Sequence, residues 1–129
     1  MTDAEKKNDK ILNFWNDRAS LGELAGTNDF MLTRIEQDFI ESIVPPNTRV
    51  LDIGCGISSS LISLAKKSGC RGVGIDFSKE MIHASKRFVK EAGIDAVVKN
   101  HYGSVPPVPK NYGMFDVVIS NRSLAVKFV

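Results

Sequence analysis

What these 129 residues lack narrows the possibilities first. No apolar run approaches the roughly 20 residues of a membrane-spanning helix, so the pattern is that of a chain folding in water. Cysteine is scarce: Cys55 and Cys70 are the only two, they form no CxxC pair, and nothing suggests a thiolate metal cluster. An excess of one charge is missing as well. Seventeen Lys and Arg stand against fifteen Asp and Glu, a net +2 with the lysines scattered among acids, which gives no argument for nucleic acid. No internal repeat and no low-complexity tract is present. The polar, mixed-charge start "MTDAEKKNDK" is unlike a secretory signal, which predicts a cytoplasmic chain with reduced thiols. The length suits one domain with a real hydrophobic core.

What remains is an ordered alternation of patterns. Ala4 to Arg18 reads as a helix, with Ile11, Leu12, Phe14 and Trp15 as its apolar residues. After a loop, Phe30, Met31, Ile35, Phe39, Ile40 and Ile43 recur at helical spacing, with Asp29 as N-cap and Pro45-Pro46 as the stop. From there strands and helices take turns: strand "TRVLDIG", helix "SSSLISLAKKSG", strand "CRGVGID", and helix "SKEMIHASKRFVKEAG", capped by Ser78 and closed by Gly93. A weaker strand, "DAVVKN", precedes a proline-rich loop, and "MFDVVIS" reads as a buried parallel strand. This order predicts an α/β fold with a doubly wound, mostly parallel sheet, preceded by a helical lead-in over residues 1–44.

Ligands of such sheets sit at the carboxyl ends of the strands, near the switch in strand order. Two signals fall there. Asp52, Gly54 and Gly56 end the first strand in "VLDIGCG", and Asp76 ends the second, 22 positions beyond Gly54. An acid at that second place can take both hydroxyls of a ribose. Glycines before a helix fit several nucleotide-like ligands, among them NAD, FAD and S-adenosylmethionine. Asp52 separates them: a pyrophosphate beside a carboxylate is repelled, whereas the sulfonium and ammonium of S-adenosylmethionine are attracted. The helix N-terminus can still receive that ligand's own carboxylate.

At these residues the sequence resembles the class I S-adenosylmethionine-dependent methyltransferases. "VLDIGCG" is similar to their first motif, "GVGIDFSKEMI" to the segment after it, and "FDVVISNRSL" to their fourth-strand motif, so that the likeness runs from Thr48 to Leu124. It implies a Rossmann-like cofactor domain over residues 45–129. Gly54, Cys55 and Gly56 would line the methionine end of the cofactor, with Asp52 supporting the turn. Asp76 would hold the ribose, Phe77 would pack on the adenine with Met81 at its border, and Asn121 would approach the sulfonium. Asn100 stands near where the family often has an acid for the adenine amine, and could offer its side-chain carbonyl. Ser58 stands where the family often has a third glycine, and a serine there can cap the helix. The lead-in "FWNDRASLGELAGTND" is similar to helices that cover the cofactor in small methyltransferases.

The family's sheet has seven strands and this sequence carries four. The expectation is therefore a truncated domain whose fourth strand becomes an exposed edge and a route to self-association. A small-molecule acceptor is expected, with no nucleic acid or membrane partner, no metal and no nameable catalytic base. Two other readings stay open: a fragment or interaction module that keeps the fold without activity, and a dinucleotide-binding oxidoreductase domain. Neutral roles also stand beside the specific ones. Both acids could be turn residues, Cys55 a small buried residue, His83 exposed, and His101 a bystander.

Overall fold

The structure is a computed structural model that describes residues 2–19, 30–104 and 109–120. Its order is α1 (Asp3–Ala19), α2 (Phe30–Ile43), β1 (Arg49–Ile53), α3 (Ser59–Ser68), β2 (Arg71–Asp76), α4 (Lys79–Glu91), β3 (Val98–Tyr102), a 3-10 turn (Lys110–Tyr112) and β4 (Val117–Ile119). All pairings are parallel, in the order β3-β2-β1-β4. The chain thus builds outward from β1 to β3 and then returns to the other side of β1. That reversal is the switch point of a doubly wound sheet, and it lies beside the glycine turn.

Strand alternation divides the sheet into two faces. Val50 and Val98 share one face and pack with Leu61 and Leu64 of α3, Val89 of α4, and Ile40 and Val44 from α2 and its end. The opposite face carries Leu51, Val73 and Ile75, covered by Tyr112 and Phe115. α1 begins with a capping box: the Thr2 hydroxyl accepts from the Glu5 amide, and the Thr2 amide donates back to the Glu5 carboxylate. It packs against α4, and α2 packs against α3.

Three expectations change in detail. The third strand is displaced from 95–100 to 98–102, because the Val97 and Val98 amides both donate to Ile94 O in a turn that uses up its first residues. The fourth strand is three residues long, and Val118 is 57% exposed at the sheet edge. The apolar recurrence of α2 gives a helix, but only part of it reaches the core. Ile40 is buried, whereas Met31, Ile35, Phe39 and Ile43 lie along an exposed stripe, Phe39 at 62%. The contact with α3 runs instead through polar groups: Ser60 Oγ donates to Gln37 Oε1 at 3.1 Å, and Glu41 accepts from Ser63 and pairs with Lys67 at 3.4 Å. Asp29, expected to cap this helix, lies outside the described residues.

β4 is held to β1 by a residue the sequence did not single out. Arg49 donates through Nη1 to Met114 O at 2.6 Å and through Nη2 to Tyr112 O, and its guanidinium lies 4.3 Å from the centre of the Phe115 ring. Its amide meets Asp116 Oδ2 at 2.9 Å, and the Asp116 amide returns to Arg49 O at 2.8 Å. Arg49→Ala keeps the backbone pair but strips two charge-assisted bonds from the loop. It should cost about 1.5 kcal/mol, the low end for such bonds because the side chain is partly exposed. Urea unfolding checks this, and hydrogen exchange should localise the loss to β4 and the preceding loop.

Candidate functional site

The turn from β1 into α3 is shaped by three consecutive demands on the backbone. Gly54 and Gly56 have φ of +75° and +55°, values a side chain disfavours. Ser58 has φ +73° as well, and here the expectation of a serine cap fails. In that left-handed conformation its hydroxyl makes no cap bond to α3, and instead donates to Asn100 Oδ1 at 3.3 Å. The serine thus occupies a glycine-like conformation at a cost of about 1 kcal/mol. A buried bond to β3 offsets it.

The turn is tied to β2 on both sides. The Gly54 and Cys55 amides both donate to Ile75 O, at 2.7 and 3.1 Å. The Gly56 amide donates to Asp76 Oδ2 at 2.9 Å, while Asp76 Oδ1 accepts from the Ser78 amide at 2.9 Å. One carboxylate therefore joins the start of α3 to the start of α4. Two of its four or so acceptor positions are used in this way. Ser78 in turn caps α4, accepting from the Met81 amide at 3.2 Å, and its hydroxyl donates to Asn16 of α1. The first helix is thereby anchored at the rim of the site.

Beneath the turn lies Asp52, 4% exposed, with no hydrogen bond to its carboxylate among the described residues. Burial, and then the neighbouring Asp76 charge, push its pKa up to about 8. Cys55 is buried too, and burial with both acids nearby raises its thiol well above the usual range. It is a neutral packing group in this setting, not a nucleophile. Above the turn there is room: a Cβ at Gly56 would meet nothing within 4 Å. An open, amide-bearing turn over a buried acid fits a ligand that brings positive charge to the acid and a carboxylate to the helix start.

The remaining candidates divide. Phe77 is half-buried next to Asp76. Met81 is buried with Ile57, Ala84 and Phe88 in a cluster between α4 and the turn. Asn100 lies two residues before the end of β3, 3% exposed and below the turn. Its carbonyl is engaged by Ser58, and its Nδ2 is a buried donor without a partner among the described residues. Asn121 lies outside the described residues, as do the side chains of Phe14 and Trp15. Among the described residues no cluster of His, Cys, Asp and Glu could hold a metal, and no helix is long and apolar enough to cross a membrane.

Asn100 fits because Gly74, its register partner, has no side chain. A Cβ there would lie 2.2 Å from Asn100 Oδ1 and 2.8 Å from Cys55 Sγ. Gly74→Ala should therefore destabilise the chain by about 1–3 kcal/mol through overpacking. An unchanged urea midpoint would show that Asn100 and Cys55 yield freely.

A sequence profile described as a methyltransferase domain matches residues 45–128, which takes in the whole sheet and the turn. The chain belongs to this methyltransferase family. The family is S-adenosylmethionine-dependent, and the matched region carries Asp52, the glycine turn and Asp76 together. Among curated relatives, the sarcosine/dimethylglycine N-methyltransferase of Halorhodospira halochloris is 32% identical over 78 residues, covering 60% of this chain and 28% of that protein. Among solved structures, PKMT2 from Rickettsia typhi, in complex with AdoHcy, is 31% identical with a TM-score of 0.53, covering 61% of this chain and 16% of the other. A SAM-dependent methyltransferase from Thiobacillus denitrificans, in complex with S-adenosyl-L-homocysteine, shares the fold at 24% identity and a TM-score of 0.57, covering 70% and 37%. The matched stretch is 24% to 38% of the length of the curated relatives. It thus corresponds to a part of each methyltransferase.

Proposed function

We propose that this chain binds S-adenosylmethionine over the β1–α3 turn and is the cofactor-holding part of an enzyme that methylates a small molecule. The observation that carries this reading is the pair of buried acids flanking an open glycine turn, Asp52 beneath it and Asp76 across it. Asp76 would take the ribose hydroxyls while keeping its bonds to the Gly56 and Ser78 amides. Asp52 would face the positive end of the ligand, and the first amides of α3 would receive its carboxylate. Phe77 would lie against the adenine. When bound, S-adenosylmethionine supplies a methyl group already activated on a sulfonium. The chain's contribution is then to position it and to exclude water, and no base is required of it.

Isothermal titration with S-adenosylmethionine, with NAD as control, tests this. Saturable binding of the first alone is expected. Binding of NAD alone, or of neither by folded protein, would overturn it. The exposed edge of β4 supports a second part of the proposal: the chain by itself self-associates through that strand. Sedimentation showing a monodisperse monomer across concentrations would refute this part without touching the first.

A further inference from the structure

A second pocket lies on the outer side of β3, away from the glycine turn. Its volume is about 330 Å³, at the small end of the range for ligand sites. One wall is the face of α4 that presents Lys79, His83 and Lys86, spaced four and three residues apart and so aligned along one side of the helix. The other wall is aromatic: His101 and Tyr102 at the end of β3, and Tyr112 from the 3-10 turn. Among the described residues, none that lines it is acidic.

The rings and the charges are arranged in pairs. Lys79 Nζ stands 5.1 Å from the centre of the Tyr102 ring. At the other end, His101 and Tyr112 stack with centroids 4.6 Å apart and planes 16° from parallel, and Lys86 acts electrostatically on His101. Burial, with that repulsion added, holds the imidazole below its ordinary pKa, so His101 contributes a ring more than a charge. The two lysines lie seven residues apart on the helix, about 10 Å at 1.5 Å per residue. A lone inorganic anion would meet one end only. A ligand that joins a flat ring to an acidic group would use both kinds of partner at once. Basic residues interleaved with stacking surfaces are also how nucleotides are held without reading their sequence.

We propose that this pocket is a second ligand site for a phosphate-bearing aromatic ring, the chemistry of a nucleotide, either free or within a single strand. The ring lies on Tyr102 with the phosphate met by Lys86, or on the Tyr112–His101 stack with the phosphate met by Lys79. The site is separate from the one assigned to the cofactor, because none of Asp52, Gly54, Gly56, Asp76 and Phe77 lines it.

The test uses pyrimidine probes, which differ most from an adenosyl ligand: uridine monophosphate, uridine, inorganic phosphate and a labelled oligouridylate. Each is titrated into the whole chain with and without saturating S-adenosylhomocysteine. Uridine monophosphate should bind in both conditions, at least tenfold tighter than uridine or phosphate. The exposed double variant Lys79→Gln/Lys86→Gln should weaken it at least tenfold while leaving the melting curve and the S-adenosylhomocysteine titration unchanged. Tighter binding of the oligouridylate, with a salt dependence that falls in the double variant, identifies a strand as the source. Equal or weaker binding identifies the free nucleotide. Three results would overturn the proposal: no saturable binding of uridine monophosphate at millimolar concentration, its displacement by S-adenosylhomocysteine, or equal binding by the double variant.

Discussion

Asp76→Ala is expected to loosen the fold and the cofactor site together. The substitution leaves the Gly56 and Ser78 amides without their shared acceptor. A buried donor left unpaired costs about 1–3 kcal/mol, so the pair should lower stability by about 2–6 kcal/mol. Affinity for S-adenosylmethionine should fall by at least a further 1.5–3 kcal/mol, about the value of hydrogen bonds from the ribose to a charged group. Asp76→Asn separates the two effects, because it keeps one acceptor oxygen for a backbone amide but carries no charge. It should melt between the wild type and the alanine variant and still bind weakly. Urea unfolding and calorimetric titration of all three proteins provide the check. An alanine variant that melts like wild type would mean the carboxylate does not hold the two helix starts. Unchanged affinity would remove the ribose assignment.

Asp52→Asn should act in opposite directions on stability and on binding. The folded chain holds a proton on Asp52 up to a pKa of about 8, against 3.8 for the unperturbed group. Between those values the folded state binds more protons than the unfolded one, so this group makes stability fall as pH rises from about 4 to 8. Asparagine cannot ionise and removes that slope. At pH 8 the variant should therefore be more stable than wild type by roughly 2–5 kcal/mol, each tenfold in proton affinity being about 1.4 kcal/mol. Binding should show the reverse. A cationic ligand favours the ionised acid, so wild-type affinity should rise by up to tenfold per pH unit on approaching pH 8 from below. Binding should also release protons, which titration in buffers of different ionisation enthalpy can count. The variant should bind more weakly at pH 8 and lack this dependence. A wild type whose stability is flat across that range would mean Asp52 ionises freely, and the role given to it would fall.

Much of the site's frame was legible because its local chemistry is strongly constrained. A buried strand running into Gly54 and Gly56, a helix opening behind them, and an acid ending the next strand admit few arrangements. The structure shows all of these elements in the expected order. Ser78 before "KEMI" was readable as a cap for the same reason, since its hydroxyl serves an amide only three residues away. What was not legible depended on partners distant in sequence. Arg49 looks like any strand-edge arginine until residues 112–116 return to it. That Asp76 binds Gly56 is a contact across 20 residues which no local pattern announces. Ser58 misled for a related reason: local rules offer it the cap, whereas a left-handed backbone turns its hydroxyl toward β3. The helical period of α2 was readable, but which side of it would be covered was not, because polar Gln37 and Glu41 make the contact with α3.

That exposed side of α2 has a practical consequence. Met31, Ile35, Phe39 and Ile43 form a greasy track along the helix. Environment-sensitive dyes such as anilinonaphthalene sulfonate recognise such tracks and do not ask whether a core has melted. The native chain should therefore fluoresce with the dye before any heating, and a dye-monitored melt would begin from a raised baseline. Near-ultraviolet circular dichroism, which reports fixed aromatic packing, is the better thermometer for this fold.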